Sequence, residues 1–152
     1  MELIKLDSAI LKLHPKAGKS FNSHSALLDS ISEKEVPDLI ISEINRYTND
    51  LNELKGSDSN MDRRIKKVIR LVLKLLEKEC QLVAKNHYRN LWLALGISAF
   101  GIPMGVAFGA SLGNMAYLGI GLPIGMAIGI AVGMSKDKEA LSQGKQLYWG
   151  GE

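Results

Sequence analysis

The sequence has a single cysteine, Cys80, which excludes an intramolecular disulfide framework and any CxxC metal or redox pair. It has no acidic or basic residue between positions 91 and 135, so its 35 charged side chains are confined to the other 107 of 152 residues. A 45-residue run without charge offers too little polar surface to water and excludes an ordinary soluble globule. The N-terminal stretch carries Glu2, Lys5, Asp7 and Lys12 and so lacks the apolar core of a secretory signal; the internal run itself is expected to direct insertion. The histidines, His14, His24 and His87, show no metal-ligand spacing. Two motif matches fail. The G-x-S-x-G at Gly109–Gly113 has every histidine upstream of the apolar run, and Gly18-Lys19-Ser20 would need a glycine where Leu13 stands. No enzyme and no cofactor or metal site is expected.

What is present is first of all a membrane-length pattern. A bilayer core of roughly 30 Å takes about 20 helical residues, so 45 residues predict two crossings, over 91–113 and 118–135. Asn114-Met115-Ala116-Tyr117 is the expected turn between them. The crossings repeat each other at a spacing of 20 residues. Gly101, Pro103, Gly105, Ala107, Gly109 and Gly113 align with Gly121, Pro123, Gly125, Ala127, Gly129 and Gly133, which makes six identities in thirteen positions.

At 100° per residue, glycines four apart drift slowly and form a smooth groove; Ala107 and Ser111, or Ala127 and Ala131, fall roughly 160–200° away. Each helix is thus expected to carry two small-residue faces. One serves packing within the hairpin and the other a second subunit, because lipid supplies no hydrophobic drive and close backbone approach must replace it. Pro103 and Pro123 each remove a backbone donor and are expected to kink the helices or to accommodate packing. A transmembrane β-hairpin would alternate apolar with polar residues, and this run has almost none of the latter. The ladder resembles in style the ring-forming proteolipid of rotary ATPases, but the carboxylate that family needs in its second helix is missing, which argues against proton translocation.

Charge is segregated too. Residues 1–60 carry net −3, residues 61–90 net +6 and residues 136–152 net zero. The basic block abuts the apolar run, so Arg70, Lys74, Lys78, Lys85, Arg89 and Lys136 are expected at anionic headgroups, with Trp92 as an interface anchor. His87, Tyr88, Tyr148 and Trp149 read the same way. No stacking aromatic lies among Arg63–Lys74, which speaks against nucleic acid as partner. Cations before the first crossing and after the second place both termini in the cytoplasm.

The charged part reads as helical. Val36, Ile40, Ile44, Tyr47, Leu51 and Leu54 form a stripe with Pro37 in its first turn. A loop over 56–60 follows, with Ser59 and Asp62 resembling a capping box for a helix over 61–83 that could run unbroken into the first crossing. Residues 1–35 suggest a short amphipathic helix over 3–13, a flexible linker over 15–25 and a short helix. The expected organisation is all-α: short N-terminal helices and linker (1–35), a charged cytoplasmic helical hairpin (36–88), a glycine-zipper transmembrane hairpin (89–136) and a cytoplasmic tail (137–152).

From Lys85 through the Gly101–Gly133 ladder to Glu139, the sequence resembles small bacterial glycine-zipper two-helix membrane proteins. The likeness covers residues 85–147 and implies a two-pass protein of the bacterial inner membrane; it carries no activity with it. Three functions fit: a homo-oligomeric, pore-forming or membrane-perturbing protein regulated by its cytoplasmic helices, a non-conducting anchor recruiting a cytoplasmic protein, or an accessory subunit of a larger membrane complex. The partners implied are anionic lipids, further copies of the chain and a cytoplasmic protein.

Overall fold

The computed structural model describes residues 2–54 and 60–149, and among these it is all-helical. It divides into two compact units, one formed by residues 1–84 and 147–152, the other by residues 85–146.

The first unit is built on three long helices. α1 (Ala9–Leu13) and a 3-10 turn (Pro15–Ala17) lead into α2 (Gly18–Ser32), followed by α3 (Asp38–Glu53) and α4 (Met61–Cys80). α4 packs against both α2 and α3. It buries Met61, Ile65, Ile69, Val72 and Leu76, steps of three and four that place one face in the core. α3 buries Ile40, Ile44 and Leu51 on the expected stripe; Pro37 stands just before the helix with ψ of 142° rather than inside its first turn.

The segment expected as a linker is largely helical. α2 buries Ser20, His24, Leu27, Leu28, Ser30 and Ile31, and three of those six positions are polar, which broke the apolar period in the sequence. Residues 2–7 are not helical either. Asn45 accepts from Ile4 N–H (2.8 Å) and donates to the Glu2 carbonyl (2.8 Å), and Asn52 accepts from Asp7 N–H (2.8 Å) and donates to the Lys5 carbonyl (3.2 Å). Two side-chain amides, two turns apart on α3, thus satisfy backbone groups of a segment that makes no helix of its own. Ser59 lies outside the described residues. Asp62 accepts from Ser20 Oγ and pairs with Lys66 (3.0 Å).

α4 does not run on into the apolar run. It stops at Gln81, in the left-handed region at φ 56°, and Asn86 is left-handed too, at φ 61°. Residues 137–152 are not a plain tail: helix continues to Ser142, and Leu147, only 1% exposed, lies in the core of the first unit. Leu147 N–H donates to the Val83 carbonyl (2.9 Å), Trp149 Nε1 to the Ser23 carbonyl (2.9 Å), and Lys34 Nζ sits 5.4 Å from the Tyr148 ring centroid. Trp149, expected as an interface anchor, is thereby engaged within the helical unit, whereas Tyr148 stays 75% exposed.

The second unit is a helical hairpin. α5 (His87–Gly96), a π-helical turn (Ile97–Gly101) and α6 (Ile102–Ser111) form one continuous arm; a 3-10 turn (Met115–Tyr117) leads to the other arm, α7 (Leu118–Ser142).

Candidate membrane-spanning hairpin

Both arms are 25 residues long and apolar enough to cross a membrane. At 1.5 Å per residue each is about 38 Å long, more than the roughly 30 Å hydrocarbon core requires. Only 17% and 22% of their most apolar windows are buried. A helix in a soluble core would be mostly buried, whereas here Leu91, Phe100, Ile102, Val106, Ile120 and Met126 are all at least 40% exposed. The outward surface is hydrocarbon on both arms.

The inward surface is glycine. Gly96, Gly101, Gly105 and Gly109 are buried on the first arm, and Gly121, Gly125, Gly129 and Gly133 on the second. An added Cβ at Gly105 would stand 2.6 Å from the Leu118 carbonyl oxygen, and one at Gly125 would stand 2.5 Å from that of Gly96. At Gly133 the neighbours are Arg89 Cα (2.5 Å) and the Tyr88 oxygen (2.7 Å). Every such neighbour is backbone, which no rotamer change can move aside. The two arms touch main chain to main chain.

Gly96 escaped the sequence pattern because five residues, not four, separate it from Gly101. In an α-helix a step of five rotates about 140° off the face. The π turn closes over five residues and returns Gly96 to the face of Gly101. Pro103 stands just after it. The proline has no N–H for the Ala99 carbonyl, and its ring would crowd that group; the widened turn spans Ala99 and relieves both. Pro123 lies within the second turn of α7, with no such widening. Two prolines at matching repeat positions therefore have different local consequences.

Gly113 is not a rung. It adopts φ 66°, meets nothing within 4 Å of an added Cβ, and ends the first arm, with Asn114 N–H donating to the Gly109 carbonyl (3.1 Å). A left-handed glycine is the usual device for stopping a helix. Asn114 then turns the chain, its Oδ1 accepting from Ala116 N–H (2.9 Å). Ala107 and Ala127, expected as packing residues, are exposed in the single chain, as are Ser111 and Ala131. The small-residue face opposite the glycines is present but uncovered.

At the open end of the hairpin Asp137, a residue missed in the sequence, is buried. Its two carboxylate oxygens accept from Tyr88 N–H (3.1 Å) and Arg89 N–H (3.0 Å), so α7 caps the first turn of α5. The signal was faint: one acid between Lys136 and Lys138. Lys136 Nζ stands 5.9 Å from the Trp92 ring centroid, and His87 packs edge-on against Tyr88 with centroids 5.1 Å apart. Lys85 and Arg89 are exposed at this same end of the hairpin.

Arg70, Lys74 and Lys78 belong to the other unit, exposed on α4, with Lys78 paired to Glu79 (3.1 Å). Burial, with Glu79 beside it, raises the Cys80 thiol above its ordinary range. Comparison with protein-family models, curated proteins and solved structures finds no match to this chain.

Proposed function

We propose that the chain is a two-pass membrane protein whose glycine-packed hairpin self-associates through its outer small-residue faces and holds a charged helical unit at an anionic membrane surface. The observation that carries this reading is the inside-out hairpin: backbone contact within, and exposed hydrocarbon without. In water such a surface would drive aggregation; in lipid it costs nothing. Glycines consumed inside the hairpin leave Ala107, Ser111, Ala127 and Ala131 as the notches a second copy would use.

Leu147 in the core of the unit built from residues 2–84 supports both ends of the hairpin emerging on one side of the bilayer. The cations at those ends support that side being the cytoplasm. Location in a bacterial inner membrane rests on the resemblance of residues 85–147, and membrane fractionation tests it. The basic face of α4 attracts anionic headgroups at about 1 kcal/mol per cation near the surface.

With no charged residue between positions 91 and 135, the assembly is read first as a non-conducting anchor. A membrane-perturbing assembly is the second reading, favoured by the π turn, a form that recurs at functional sites in helices. Native mass spectrometry and dye retention in liposomes test both. Oligomers that Ala107→Leu with Ala127→Leu dissolve, in vesicles that stay sealed, support the anchor. Leakage that the same variant abolishes supports the second reading, and a monomer at every concentration refutes self-association.

A further inference from the structure

Within the helical unit a cavity of about 340 Å³ opens between α2 and α4, lined by Ser20, Ser23, Lys66, Ile69, Arg70 and Trp149. Its wall is mainly carbon, from Ile69 and the Trp149 indole, and its size is near the lower bound for small-ligand pockets. The cavity is an open groove rather than an enclosed chamber, with an apolar floor along which a hydrocarbon chain can lie.

The polar part is unequal in sign. Lys66 and Arg70 stand one helical turn apart at the rim. Lys66 pairs with Asp62, whereas Arg70 gives Nε to the Lys66 carbonyl (3.3 Å) and has no acidic partner among the described residues. Ser20 is already committed, its one hydroxyl hydrogen donated to Asp62, with the Ala17 carbonyl 3.3 Å away as the alternative acceptor. The rim therefore keeps one uncompensated cation above an apolar slot. Arg63, Lys67 and Lys74, exposed on α4 without a carboxylate partner among the described residues, add to the positive potential.

We propose that this cavity binds a single-chain anionic amphiphile, its chain on Ile69 and Trp149 and its head on the Arg70 guanidinium. A polyanion such as a nucleotide finds too few donors here, and an uncharged chain leaves Arg70 unused. The site lies wholly within one unit and does not depend on the hairpin entering a bilayer. Its consequence reaches further. Trp149 roofs the cavity from the segment that follows α7, so an occupant adds contact to the same indole that donates to Ser23 and holds that segment down.

The test uses the full chain carrying Trp92→Phe, in phosphatidylcholine nanodiscs, so that Trp149 is the only indole. 11-Bromoundecanoate, whose bromine quenches indole fluorescence, is titrated in. Saturable quenching is expected, with at least tenfold weaker binding for Arg70→Glu and for the matching bromo-alcohol. Circular dichroism checks that Arg70→Glu, a surface change, leaves the helices intact. Displacement by lysophosphatidylglycerol, a single-chain membrane lipid, identifies a lipid as the natural source, and its failure to compete identifies a free amphiphile. Quenching that rises without saturation, or is equal for acid and alcohol, or is unchanged in Arg70→Glu, overturns the proposal.

Discussion

Replacing Gly125 with alanine places one methyl group between two backbones. Its carbon would lie 2.5 Å from the Gly96 oxygen and 2.6 Å from both Cα and N of Gly101, where ordinary contact begins near 3.4 Å. The arms must part by about 0.8 Å at that level. They cannot do so by rotation, because Gly121 and Gly129 on the same face are equally close to main chain on either side. Overpacking of this kind costs about 1–3 kcal/mol, and separation also forfeits dispersion contacts along the seam. Gly119→Ala is the matched control: it lies on the same helix, its added carbon meets nothing within 4 Å, and alanine is the better helix former by up to about 1 kcal/mol. Detergent-solubilised protein is titrated with SDS and helix content followed by circular dichroism. Gly125→Ala is expected to unfold at lower SDS than wild type and Gly119→Ala at equal or higher SDS. If the two variants coincide, main-chain contact does not hold the hairpin, and the reasoning fails.

Asp137→Ala is expected to lose two charge-assisted hydrogen bonds at the start of α5, about 2–4 kcal/mol in the same titration; Asp137→Asn, which keeps one acceptor, loses less. Leu147→Ala is expected to destabilise the helical unit by about 2–5 kcal/mol, seen as a lower melting temperature, and a neutral result would mean that the residue is not a core member. His24 is wholly buried, with neither ring nitrogen hydrogen-bonded, and burial lowers its pKa from 6.5 to about 4. The fold needs it neutral, so its contribution is complete above pH 6.5 and is lost as pH falls towards 4. That difference is worth about 3 kcal/mol. Melting temperature against pH is expected to fall over that interval in wild type and to flatten in His24→Leu.

The apolar arms were legible because charge is excluded from them, and α3 and α4 because their stripes keep to three and four. Other features failed for identifiable reasons. Gly96 sits on a five-residue step that only a π turn makes sense of, and that turn accompanies Pro103 but has no counterpart at Pro123. Gly113 and Gly133 occupy equivalent repeat positions, yet one ends a helix and the other meets Arg89; repetition in sequence does not show where a chain must reverse. α2 hid behind Ser20 and His24, polar residues at core positions. The non-helical start of the chain finds its backbone partners in Asn45 and Asn52, some forty residues away, and the cavity depends on Trp149. Contacts across such separations leave no local period to read.

That long reach sets a timetable. Ser23 waits for Trp149, 126 residues later in the chain. At about 5–20 residues per second, a ribosome needs roughly 6–25 seconds to deliver that indole. Until then α2 and α4 lack the piece that closes them, and their apolar edges stay open to chaperones or to early pairing with another nascent chain. The unit that holds Ser23 thus takes one of its contacts from residues translated only after the hairpin.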